Sequence, residues 1–197
     1  MPGNLAQEIR ALSQPPIPWD VELAQWFDGF FGPLERKRTY VRLSRRQAST
    51  PDIARPRYVA DEQLLSGRTF GVVLDSSGSM DAKTLGQGLG AIAAYAFSRE
   101  VPLVRLVYCD AHAYDAGYVA PDAIGNRMRV QGRGGTLLQP GADLLTTAAD
   151  FPKAAPILII TDGYCEPSFR LGREHAFLLP KSGKLPFAPR GPVFRMG

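Results

Sequence analysis

The sequence predicts an α/β protein built on a mostly parallel sheet with one antiparallel edge hairpin, preceded by a helical and extended segment. Three observations carry that expectation. From residue 67 onward, short apolar runs of strand length alternate with longer stretches of helical periodicity. Two of those runs, at 69–74 and 155–160, are almost wholly apolar, as strands covered on both faces are. The 197 residues, 45% hydrophobic and 21% charged, supply the core of one soluble domain and leave a modest extension.

Residues 1–66 read as a helical and basic extension packed on a domain at 67–197. Pro15, Pro16 and Pro18 punctuate the start of a helix in which Trp19, Leu23, Trp26, Phe27 and Phe30 recur at helical spacing. So much aromatic surface is expected to dock on the domain that follows. After Gly32-Pro33, residues 36–57 hold eight Lys/Arg against one acid, Asp52, and are broken by Pro51 and Pro56. This stretch reads as an extended or loop-rich linker, a solvated connector whose arginines pair with the body.

Within the domain, Thr69 to Leu74 is the first core strand, closed by Asp75 and small polar residues. Residues 81–100 form a helix with Leu85, Leu89, Ile92 and Ala96 on one face; Gly86, Gly88 and Gly90 permit close packing. A strand at Leu103–Cys109 is followed so closely by Ala113–Val119 that the two pair as an antiparallel hairpin at the sheet edge. Thr136 opens a third helical segment with Pro140 in its first turn and Leu144, Leu145 and Ala148 buried. Ala155–Ile160 is the clearest parallel strand, His175–Leu179 is a fifth, and the Pro- and Gly-rich end leaves room for a short edge strand near Val193.

Cys109 and Cys165 are the only cysteines and belong to no CxxC pair, which excludes a disulfide framework or zinc ribbon and predicts reduced thiols. No run approaches the roughly 20 apolar residues of a membrane span, and the first residues lack a charged-then-apolar signal pattern, so a cytoplasmic location is expected.

The chemistry gathers at strand ends. In open parallel sheets, ligands bind beyond the carboxyl ends of strands where the strand order reverses. Asp75 and Asp162 each close an apolar strand, and they share one crevice if those strands are neighbours. Ser77 and Ser79 follow Asp75 at alternate positions, so two hydroxyls can face one point, with Gly78 between them to let the backbone bend. Two carboxylates and several hydroxyls suit a hard divalent cation with oxygen ligands. A plainer reading has the aspartates capping helices and the serines filling a polar turn.

Asp75-Ser76-Ser77-Gly78-Ser79 resembles the Asp-x-Ser-x-Ser of the metal-ion-dependent adhesion site of von Willebrand factor A (VWA) domains. Gly134-Gly135-Thr136 resembles the loop that donates that site's threonine, and Thr161-Asp162-Gly163 its terminal aspartate motif. The resemblance implies a Rossmann-like sheet with helices on both faces and a metal held through Asp75, Ser77, Ser79, Thr136 and Asp162. The ion would be Mg²⁺, or Mn²⁺ or Ca²⁺ in its place. It would receive an acidic side chain from a partner protein and perform no turnover.

More widely, the chain is similar to the VWA-like carboxyl half of a bacterial family of predicted metal-dependent peptidases, with Ile17-Pro18-Trp19 and Tyr40 through Arg45-Arg46 resembling the stretch before that half. The His-Glu-x-x-His of that family is missing, and His112 and His175 lie in different segments, so peptidase activity does not carry over. As an alternative, the chain reads as the binding half of a metallopeptidase whose catalytic part is missing, either carried elsewhere in a longer protein or lost. The resemblance also implies a MoxR-like AAA+ ATPase or its client as partner. Arg133, in the position of a small residue, either captures a carboxylate or pairs with acidic neighbours. Asp110, Tyr164 and Glu166 follow strand ends and are candidates to tune partner choice, beside His112 and Cys165.

One enzyme motif fails, and a phosphatase-like hydrolase stays as the alternative reading against one missing residue. Gly86-x-Gly88-x-x-Ala91 matches a dinucleotide fingerprint but lies inside a helix pattern. A Mg²⁺-dependent phosphatase of the haloacid dehalogenase type needs Asp-x-Asp, and Ser77 stands where the second acid belongs. Membrane and nucleic-acid partners are not expected: Tyr40 and Tyr58 are sparse for a stacking platform.

Overall fold

A computed structural model of the chain describes residues 18–41, 45–61, 65, 67–79, 82–124 and 136–196. The elements in chain order are α1 (Pro18–Asp28), β1 (Arg36–Thr39), β2 (Arg57–Ala60), β3 (Gly71–Asp75), α2 (Ala82–Ser98), β4 (Val104–Cys109), β5 (Ala113–Val119), α3 (Gln139–Thr147), β6 (Ile157–Ile160), β7 (His175–Pro180) and β8 (Val193–Met196). Strands β3 to β8 form one six-stranded sheet in the order β5-β4-β3-β6-β7-β8. Every pairing is parallel except β4 with β5, the expected edge hairpin. Among the described residues, no helix is long and apolar enough to cross a membrane.

Alternation along the strands divides the core into two layers, since successive strand residues point to opposite faces. Val72, Leu74, Leu106, Leu158, Ile160 and Leu178 face α1 and α2, whereas Val73, Val107, Ile157, Ile159 and Phe177 face α3. Helix α2 buries Leu85, Leu89, Ile92 and Ala96 as its spacing predicts. Of its glycines only Gly88 is closely approached, by Leu178, Met196 and Ile160; a side chain at Gly86 or Gly90 would meet open space. The dinucleotide-like glycines lie in the interior of this helix.

Helix α1 is part of the first layer. Trp19, Leu23, Phe27 and Phe31 are buried, and Phe27 rests against Phe70 and Tyr95 with ring centroids 4.6 and 4.9 Å away. Burying each such side chain stabilises by about 1.5–3 kcal/mol. Trp26 and Phe30 are only partly covered.

Two sequence expectations need correction. The basic stretch is more than a linker: its ends pair antiparallel, Arg36 opposite Ala60 and Arg38 opposite Tyr58, with a short 3-10 turn at Arg45–Ser49 between them. The β-forming Thr39 and Tyr58-Val59 make that pairing favourable. Helix α3 starts at Gln139 rather than Thr136, and its buried residues are Gly141, Ala142 and Leu145. Leu144 is 37% exposed and Ala148, beyond the helix, is only partly buried. The connections after β6 and β7 hold no helix: Phe169, Leu171, Leu185 and Phe187 cover that face of the sheet from irregular chain.

Candidate functional site

Because β3 pairs with β4 on one side and β6 on the other, the strand order reverses at β3 and opens a crevice beyond the carboxyl ends of β3 and β6. Leu74 is in register with Ile160, so Asp75 and Thr161 stand side by side at that crevice, with Asp162 one residue further.

Asp75 is fully buried and accepts from a backbone N–H and two hydroxyls. The Ser77 backbone N–H reaches its Oδ1 at 2.9 Å, the Thr136 hydroxyl donates to the same oxygen at 3.0 Å, and the Thr161 hydroxyl donates to Oδ2 at 2.7 Å. Burial pushes the Asp75 carboxyl above the usual carboxylate range, and these hydrogen bonds oppose that shift. The Ser77 and Ser79 hydroxyls lie 2.9 Å apart. Ser76 faces the other way, its hydroxyl donating to the Cys109 carbonyl at 3.1 Å. Alternation in the loop therefore sorts the three serines into two for the crevice and one for the scaffold.

Thr136 arrives from a distant part of the chain, and three contacts hold its segment. Leu137 N–H donates to the Asp110 carbonyl at 2.9 Å, and Thr136 forms a parallel bridge with Cys165. The carboxylate of Glu166 accepts the N–H groups of Leu138 and Gln139 at 3.0 and 2.7 Å. Those two donors belong to the first turn of α3, where the helix leaves its N–H groups unpaired and favours negative charge. By donating its proton to Asp75, Thr136 turns its lone pairs elsewhere, which leaves them available to a cation.

Asp162 is the least satisfied member. Its Oδ1 accepts the Tyr164 N–H at 2.9 Å, while its Oδ2 is buried with no hydrogen-bond partner among the described residues. An unpartnered buried carboxylate oxygen is costly unless a cation or donor meets it. The turn behind it requires glycine: Gly163 has φ 95°, and a Cβ there would strike the Lys184 backbone.

The structure thus joins Asp75, Ser77, Ser79 and Thr136 through direct hydrogen bonds and sets Asp162 beside them through Thr161. Arg133, Gly134 and Gly135 lie outside the described residues. Asp110 is buried, its Oδ1 accepting the His112 N–H at 2.8 Å. Tyr164 is 79% exposed. Glu166 is engaged with the start of α3. Both cysteines are free thiols, and burial pushes each up to about 12, so they stay protonated at neutral pH and act as packing groups. Sequence reading named Thr161 only as part of a motif; its register opposite Asp75 is what reveals it as the second hydroxyl holding that carboxylate. The capping role of Glu166 is likewise visible only in three dimensions.

A family model described as a VWA-like domain (DUF2201) matches residues 70–171, just over half of the chain. The chain belongs to this VWA-like family. A comparison with curated proteins finds no match. The match begins one residue before β3 and ends nine residues after Asp162, so the VWA-like family model spans every residue of the crevice.

Among the described residues, no three His, Cys, Asp or Glu side chains gather as a metal cluster. The donors in the VWA-like crevice are of another kind: two carboxylates completed by the hydroxyls of Ser77, Ser79 and Thr136. That set fits a hard cation such as Mg²⁺, which takes one or two carboxylates and fills its remaining positions with neutral oxygens and water. The Oδ2 of Asp162, buried and without a partner among the described residues, is the observation that favours the fit.

Proposed function

We infer that this VWA-like domain is a divalent-metal-dependent protein interaction module of the metal-ion-dependent adhesion type. Ser77, Ser79, Thr136 and Asp162 would hold the ion, and Asp75 would act chiefly by holding Ser77 and Thr136 in place. The ion supplies a Lewis-acidic position for a carboxylate oxygen of a partner's Asp or Glu. With neutral hydroxyls making up most of the donor set, little ligand charge offsets that of the cation, and it keeps its attraction for an external acid. The reading is supported above all by the buried Asp162 oxygen that no donor meets among the described residues. A protein partner such as an AAA+ ATPase of the MoxR type or its client is consistent with this chemistry and is part of the proposal.

Thermal unfolding with and without MgCl₂, MnCl₂ or CaCl₂ tests it. A ligand at about 100 times its Kd stabilises by about 2.7 kcal/mol, which corresponds to a rise of roughly 5–11 °C in Tm for a chain of this size. Asp162→Asn should remove the rise. Identical melting in EDTA and in each of the three cations would sink the proposal.

A further inference from the structure

We propose that the ribbon of β1 and β2 is a docking surface for single-stranded nucleic acid, with Arg36 and Arg38 meeting phosphates and Tyr58 stacking on a base. In the sequence Tyr40 and Tyr58 stand far apart and make no platform. The ribbon changes this, because directly paired residues of an antiparallel pair project to the same face. Arg38 lies opposite Tyr58 and Arg36 opposite Ala60, so two guanidinium groups and one aromatic ring share a face. Arg38 Nε donates to the Tyr58 hydroxyl at 2.8 Å, and its guanidinium carbon stands 5.6 Å from the ring centroid. Tyr58 is 50% exposed, and Tyr40, which continues the alternation of Arg36 and Arg38 beyond the strand, is 63% exposed. The opposite face adds Lys37 and Arg57, both exposed.

Charge and geometry favour nucleic acid over an acidic peptide. Seven of the eight cations in residues 36–57 are arginine, whose planar fork matches phosphate and whose face stacks on rings and bases. Exposed tyrosines beside guanidinium groups are the parts of a sequence-tolerant stacking surface, for which a carboxylate-bearing peptide has no counterpart. Arg36 pairs with Glu100 and Lys37 with Asp61, but both pairs are solvent-exposed, and such pairs are weak enough for a phosphate to displace the carboxylate.

The test uses the full chain in EDTA, which keeps it independent of the metal reading, and a fluorescent oligodeoxythymidylate of about 20 nucleotides as probe. Anisotropy titrations between about 50 and 200 mM salt should give a log–log slope set by about −0.7 per phosphate contacted. The double variant Arg36→Gln/Arg38→Gln should reduce the magnitude of that slope by about 1.4. Tyr58→Leu should weaken binding roughly tenfold at each salt concentration and leave the slope unchanged, because stacking carries no counterions. Circular dichroism melts confirm that each variant is folded. The proposal is overturned by an absence of binding at low salt, by a Tyr58→Leu chain that binds as tightly as the parent, or by polyglutamate or anionic vesicles competing as well as the oligonucleotide at equal charge.

Discussion

Replacing Gly141 with alanine should destabilise the protein, and replacing Cys109 as well should abolish or reverse that effect. Gly141 lies in the first turn of α3, where the helix presses on β3 and β4. A Cβ at this position would fall well inside 3.0 Å of Cys109 Sγ and within 3.2 and 3.3 Å of methyl groups of Val73 and Val107. All three neighbours stand on central strands whose backbone is fixed by pairing on both sides, so the clash is relieved only by moving the helix. Overpacking of this kind costs about 1–3 kcal/mol, and the rigid surroundings place it near 3. Alanine returns roughly 1 kcal/mol of helix propensity relative to glycine. The net loss is about 2 kcal/mol, or a fall of roughly 4–8 °C in Tm.

In the Cys109→Ala background the sulfur is gone. That single change costs about 1 kcal/mol, the scale of one buried methyl-sized group. Adding Gly141→Ala then fills the vacated space, the remaining valine contacts yield by a few tenths of an ångström, and the propensity gain survives. The second substitution should be neutral or stabilising by up to about 1 kcal/mol. Urea unfolding of the four proteins, followed by circular dichroism, measures the cycle. Equal losses from Gly141→Ala in both backgrounds would refute the packing argument, because they would place the strain elsewhere than at the thiol.

Phe27→Ala should cost about 3–5 kcal/mol in the same assay, since its fully buried ring joins α1 to Phe70 and Tyr95; a chain trimmed to residues 67–197 should for the same reason lose cooperative unfolding. Glu166→Ala should destabilise by about 1–2 kcal/mol through the loss of a helix-start acceptor. In calorimetry with Mg²⁺ it should also weaken whatever affinity the parent shows, because the segment carrying Thr136 loses a clamp. Asp28 gives a pH signature: hydrogen bonds from Arg99 hold its carboxyl below the usual range, opposed by partial burial and aided by the Tyr95 hydroxyl. A depressed carboxyl contributes stability that is present above its unfolded value near 3.9 and lost as pH falls through the lower folded value. Denaturant midpoints should therefore drop more steeply below about pH 4 for the parent than for Asp28→Asn, and parallel curves would contradict the assignment.

Periodicity and punctuation were enough to read the class of fold, the main strands and the edge hairpin, because strand-length apolar runs ended by Asp75 and Asp162 and a helical stripe at Leu85, Leu89, Ile92 and Ala96 are local signals. They also singled out Asp75, Ser77, Ser79 and Asp162 at strand ends as candidate oxygen donors, and the resemblance to the VWA adhesion site added Thr136 to that set. Which donors meet could not be read locally. Strand pairing brought Thr161 to Asp75 and Tyr58 to Arg38, the loop after β6 brought Glu166 to the start of α3, and one oxygen of Asp162 is buried without a partner among the described residues. Those relations join residues 20 to 86 positions apart. Those at the crevice arise from burial shared by the whole core, which fixes strand order and helix docking together, and the one on the exposed ribbon from backbone pairing of β1 with β2; no window of sequence contains that information.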